Sequence, residues 1–211
     1  MVIGDRPAYR ADMRLPWLVP LTLVAVLTAT TLPAEAASRT WKDAGGGRGS
    51  GLDIRAVKVV NTAKGVRVTF RVPKATNEAY PVGDAVLDID VGRSKGPEFR
   101  MTGSVPGGTE FRSLKGSRAV KRSWRQAEGL RYGRCAKTVR QNWSLDRGRV
   151  ALLITPKKGC LYRPKKVRVK LRTYGTGTYD YSSGVLTEFP ATITDRFPQR
   201  GFSTKVRYSK R

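Results

Sequence analysis

The chain has 211 residues, with 41 Lys and Arg against 16 Asp and Glu, no His, and a formal net charge of +25. Lack of His excludes Ser-His-Asp triads, Cys-His dyads and zinc sites with imidazole ligands, and two cysteines alone cannot build a thiolate zinc cage. No GxxxxGK[ST] phosphate loop is present, and the charge favours anionic partners.

Residues 15–32, LPWLVPLTLVAVLTATTL, form an apolar run preceded by Arg14 and followed by PAEAA. A positive flank, an apolar core and a small-x-small exit predict a secretory signal peptide over 1–36, cleaved after Ala36. Met13 followed by Arg14 would begin a more compact signal than Met1 does. The competing reading, a membrane span, needs about 20 apolar residues, and Pro16 and Pro20 interrupt this run. No Cys follows it to carry a lipid, so no stable membrane anchor is expected. The signal's Arg6, Arg10 and Arg14 balance Asp5, Asp12 and Glu35, so the exported chain keeps the full charge.

Residues 37–51 are Gly-rich and read as a flexible lead. From residue 52 to 211 the pattern becomes that of strands. Val66, Val68, Phe70 and Val72 alternate with Arg67, Thr69 and Arg71, the period of a half-buried strand. Val167, Val169 and Leu171 alternate with Lys166, Arg168, Lys170 and Arg172 in the same way. Further strands are predicted at 54–61, 85–91, 99–103, 110–115, 138–143, 150–155 and 203–208. The turn signals NTAKG, VPGG, LDRG and TPKKG separate several of them. No window has sustained helical periodicity. The expectation is an all-β chain: a single antiparallel β-sandwich, jelly-roll or Ig-like, of about eight or nine strands.

In an exported protein an isolated cysteine pair forms a disulfide, so Cys135 is expected to bond Cys160. These residues flank two strand candidates joined by LDRG, which predicts a hairpin stapled at its open end. Such a loop closure is worth about 3.5 kcal/mol in the chain-entropy model.

The stretch DAVLDIDVGRSKGPEF, residues 84–99, gathers scarce acids. Leu87, Ile89 and Val91 read as core-facing, which places Asp88 and Asp90 together on the opposite, exposed face. Three readings follow. The carboxylates pair with Arg and Lys on neighbouring strands. Alternatively they hold calcium, with oxygens from Asp43, Asp53, Asp84 or Glu98 completing its six to eight ligands. Or they form a catalytic carboxylate pair of a glycan-active enzyme, a role that side-by-side placement on one strand suits poorly.

LDIDVGRSKGPEF together with ITPKKGCLYRPKKVRVKL, residues 154–171, resembles a group of secreted actinobacterial proteins of unassigned function. That group is similar to the DOMON and family-nine carbohydrate-binding-module sandwiches. The shared features are an Asp-x-Asp strand end before Gly-Pro-Glu, and a Pro-x-x-x-Cys-Leu-x-x-Pro stretch entering a Val-x-Val strand. GLDIRAVKV, residues 51–59, is similar to the opening strand. The resemblance spans most of 51–173. It implies a binding module for sugars, with structural calcium in some members. The haem-binding members resemble this chain least, because it lacks His.

Binding surfaces remain to be assigned. Trp143 is expected in the core and Trp124 among exposed cations. TYGTGTYDYSSG, residues 173–184, reads as a Gly/Ser loop carrying Tyr174, Tyr179 and Tyr181, the composition of adaptable binding loops. Arg67 and Arg71 on one strand and Lys166, Arg168, Lys170 and Arg172 on another would form one basic stripe if those strands are neighbours. No nucleic-acid motif accompanies them. The expected function is a secreted, non-enzymatic binding or structural module. Its expected partner is an anionic or carbohydrate polymer of the cell envelope, contacted by Arg168, Lys170, Arg172 and the tyrosines. No cofactor is required, calcium being the one ion the acids could hold.

Overall fold

The computed structural model describes residues 37–43, 52–93, 96–105, 107–115, 118–127, 130–131 and 133–210. The expected signal peptide, 1–36, and the glycines at 44–51 lie outside the described residues. In chain order the strands are β1 (Ser38–Lys42), β2 (Ala56–Thr62), β3 (Gly65–Arg71), β4 (Tyr80–Asp90), β5 (Phe99–Val105), β6 (Thr109–Lys115), β7 (Arg118–Ala127) and β8 (Leu130–Arg131). The single helical turn α1 (Gly133–Ala136) follows. Then come β9 (Val139–Ser144), a 3-10 turn (Leu145–Arg147), β10 (Arg149–Ile154), β11 (Lys166–Asp180), β12 (Val185–Phe197) and β13 (Val206–Arg207).

The strands form two antiparallel sheets. The smaller has the order β1-β2-β3-β10-β9. The larger runs β12-β11-β4-β5-β6-β7-β8, with β13 paired to the start of β11. The all-β sandwich read from the alternation is therefore the fold. Side chains that alternate inward from both sheets make its core. Val57, Val59, Val68, Phe70, Val150 and Leu152 come from the smaller sheet, and Leu87, Ile89, Met101, Phe111, Val169 and Leu171 from the larger. All are at most 1% exposed, and each such side chain contributes about 1.5–3 kcal/mol of burial.

Several local expectations change. Ser38–Lys42, expected in the flexible lead, is a strand, because it pairs with β2 and seats Trp41 against Phe197 with ring centroids 5.5 Å apart. The segment 173–184 is not a loop. β11 continues through Asp180, held by β4 on one side and β12 on the other, and only its last few residues turn. β4 correspondingly begins at Tyr80 instead of Ala85. β7, β8 and β12 were not foreseen. Trp143 is half-buried, packing edge-on against Phe70. The side chain of Trp124 lies outside the described residues.

The stapled hairpin is present. Cys135 bonds Cys160 with their Cα atoms 5.8 Å apart, just beyond the Val139–Ile154 end of the β9–β10 pair. At the closed end Gly148 takes φ +60, and a Cβ there would meet the Val72 carbonyl oxygen at 2.5 Å. Both the left-handed backbone and the close approach require Gly.

The C-terminal tail closes one edge of the sandwich. Buried Asn61 donates its side-chain amide to the Pro164 and Val206 carbonyls, and Ser209 N–H donates to the Asn61 carbonyl. On the larger sheet, the buried Asp195 carboxylate accepts the Ile54 N–H at 2.8 Å. Ties of this kind join segments more than a hundred residues apart.

Replacing Cys135 and Cys160 together by Ser is expected to lower unfolding free energy by about 3 kcal/mol. Urea titration measures it; a loss under about 1 kcal/mol would mean that β9 and β10 hold their register without the bond.

Candidate functional site

The acids of β4 do not lie on an open face. Asp88 and Asp90 are 4% and 2% exposed. Strand register places Arg100 of β5 directly across from Asp88, Arg168 of β11 across from Asp90, and Arg172 one diagonal step from Asp88. Long guanidinium side chains from both neighbouring strands reach over the carboxylates and cover them.

Arg100 donates to Asp88 Oδ1 at 2.6 Å and Oδ2 at 3.0 Å, a two-pronged pair. Arg172 donates to the same Oδ2 at 2.8 Å. The Asp88 hydrogen bond, which outweighs the effect of burial, raises the Arg100 guanidinium above its ordinary value. Arg168 pairs with Asp90, whose other oxygen accepts the Gly92 N–H at 2.6 Å. Glu98 completes the stretch. Its carboxylate accepts the Val91 and Arg93 N–H groups at 2.8 and 2.7 Å, fastening the turn between β4 and β5.

Each acid thus has a structural partner, as the ion-pair reading expects. A cation entering here would have to displace guanidinium groups from the same oxygens. The further acids named for calcium stand elsewhere. Asp53 pairs with Arg55, Asp84 faces Ser104 and Tyr174 in register, and Asp43 follows the end of β1. Among the described residues no group of three or more His, Cys, Asp or Glu is arranged to hold a metal.

The predicted stripe does not assemble. β3 belongs to the smaller sheet and β11 to the larger, so Arg67 and Arg71 face away from Arg168, Lys170 and Arg172 across the sandwich. Within the β11 set, Arg168 and Arg172 are committed to Asp90 and Asp88, while Lys170 has no carboxylate partner among the described residues.

A different surface emerges on the smaller sheet. None of its five strands contains an acid. Its outward positions fall in rows fixed by register. Lys42, Ala56, Arg71, Arg149 and Ser144 form one row; Thr40, Lys58, Thr69, Ala151 and Asn142 the next; Ser38, Val60, Arg67, Leu153 and Arg140 the third. Lys42, Lys58, Arg67, Arg71, Arg140 and Arg149 are exposed, and none pairs with a carboxylate among the described residues. Successive rows are two residues, about 6.8 Å, apart along the strands, and Arg71 and Arg149 stand opposite one another on neighbouring strands, so neighbouring charges lie within a Debye length, about 8 Å in physiological salt. Their fields add over one open face.

The tyrosines divide. Tyr174 lies on β11 across from Asp84. Tyr179 and Tyr181 meet at 4.7 Å between ring centroids, and Tyr80 packs on Tyr181 at 5.3 Å. Burial, with smaller contributions from Tyr181 and Asp146, raises the Tyr80 phenol above its ordinary value. Asp180 closes the turn by accepting from the Ser182 and Ser183 hydroxyls, which with their N–H groups hold its carboxyl down at about 2. The rings therefore brace a hairpin tip, and Tyr181 is the most exposed of them at 60%.

No family model, curated protein or solved structure matches the chain. No helix among the described residues is long and apolar enough to cross a membrane.

The Asp88→Asn variant is expected to lose about 2–4 kcal/mol of stability, because two guanidinium groups lose their counter-charge. Chemical denaturation measures it. A loss below about 0.5 kcal/mol would show that Arg100 and Arg172 regain equivalent hydration without Asp88.

Proposed function

We propose that this protein is an exported, non-enzymatic module that binds an anionic polymer outside the cell, on the outer face of its smaller sheet. The observation that carries the reading is the segregation of charge. The acids in strands all belong to the larger sheet, while Lys42, Lys58, Arg67, Arg71, Arg140 and Arg149 share a face without one. An open, slightly twisted sheet suits an extended chain better than a compact small molecule.

Export is supported by the signal-like leader and by the disulfide, a bond that persists in oxidising compartments. The resemblance to DOMON and family-nine carbohydrate-binding sandwiches supports a binding role. Wall polymers carrying phosphate or carboxylate are the partner chemistry that fits the face. Arg supplies paired N–H donors to such groups, and Lys supplies point charges.

The test is binding of residues 37–211 to polyphosphate and to isolated cell walls across a salt series. Log K should fall with log salt with a slope of about −4, since several counterions are released. The Arg67→Ser, Arg71→Ser, Arg149→Ser variant should bind at least about tenfold more weakly and lose about 2 units of that slope. Walls stripped of anionic polymer should bind poorly. Salt-independent binding, or equal binding to a neutral glycan, would overturn the reading and move recognition to the tyrosine tip.

A further inference from the structure

A cavity of about 690 Å³ opens between β1, β11 and the C-terminal segment, lined by Ser38, Arg39, Arg168, Phe202, Lys205 and Arg207. Ser203 and Thr204 complete its wall, and no carboxylate lines it. We propose that it is a binding site for a phosphate or sulfate ester carried on a sugar or small polyol.

The wall is built rather than draped. Ser203 N–H donates to the Val169 carbonyl, Val169 N–H donates to Ser203 Oγ, and Tyr208 N–H donates to the Lys165 carbonyl. These bonds fix both ends of the segment that presents Lys205. Arg168 is held as firmly. Asp90 takes one of its N–H groups, and its guanidinium carbon lies 5.7 Å from the Phe202 ring centroid. A guanidinium has five N–H donors, so most of the Arg168 fork remains for a ligand. Arg39 is placed over Trp41, 5.9 Å from the ring centroid.

Arg39, Arg168 and Lys205 around one cavity repel one another, and the Asp90 carboxylate pairs with Arg168. An oxyanion entering the cavity would relieve that repulsion and receive several charge-assisted hydrogen bonds. The cavity's size is within the usual range for small-molecule sites, roughly 300–1,000 Å³. It exceeds what a bare tetrahedral anion fills, which leaves room for a carrier beside Phe202.

The pocket cations are distinct from those on the sheet face, so either site can fail alone. The test is calorimetric titration at constant ionic strength with inorganic phosphate, a hexose 6-phosphate, a hexose 6-sulfate, the unmodified hexose and chloride. Saturable one-to-one binding of an ester, tighter than inorganic phosphate, is expected, and whichever ester binds more tightly identifies the group. The Arg39→Ser, Lys205→Ser variant should weaken it by about tenfold or more, while Arg67→Ser, Arg71→Ser leaves it unchanged. In the unmodified protein, amide shifts on ester addition should fall within 202–207. Absence of saturable ester binding, equal binding of chloride, or shifts centred on Arg67 and Arg71 would overturn the site, whatever the polymer result.

Discussion

Burying the Asp88 carboxylate is costly unless its charge is met, and here Arg100 and Arg172 meet it from the strands on either side. Paired in this way, a carboxylate on the interior strand β4 ties β5 to β11 through their outward side chains, in addition to the backbone ladders. Arg168 with Asp90 repeats the device one step along, and Glu98 secures the adjoining turn. The same acids that look like a cluster in sequence act as cross-braces of the larger sheet. Each is bound to a cation or to backbone N–H groups.

This use of acids shapes the rest of the molecule. With 16 acids for 41 Lys and Arg, carboxylates spent on one sheet are not available to the other. The smaller sheet keeps its shape by different means: a core of alternating Val, Leu, Ile and Phe, the Cys135–Cys160 staple at the edge hairpin, and the C-terminal tail bound through Asn61. Its outward cations are left free of structural duty. Loss of one should cost little stability, which is the condition for a surface devoted to binding. The larger sheet has the opposite character around β4, since Arg100, Arg168 and Arg172 are held in place by Asp88 and Asp90.

The strand alternation was legible in sequence because a half-buried strand must repeat every two residues. β3, β9, β10 and the first half of β11 lie within one or two residues of their expected limits. β7, RAVKRSWRQA, escaped because it has no run of alternating apolar residues. β12 escaped because Pro190 interrupts it, which an edge strand tolerates. Tyr174 to Asp180 has loop composition, and only pairing with β4 and β12 makes it a strand. The outward placement of Asp88 and Asp90 was correct in alternation yet wrong in exposure, because the arginines that cover them come from other strands. The grouping of strands into sheets is tertiary information. Without it Arg67 and Arg168 appear to belong together, and the acid-free face of the smaller sheet is invisible although every residue of it can be read.

The most direct test of this division of charge is an arginine-modification footprint. The folded protein is treated with phenylglyoxal with and without bound polyphosphate, and each Arg is quantified by mass spectrometry. Arg67, Arg71, Arg140 and Arg149 should be modified readily in the free protein and strongly protected by the polymer. Arg100 and Arg172 should react slowly in both states. Protection confined to the larger sheet, with Arg67 and Arg71 equally reactive in both states, would contradict this division of charge.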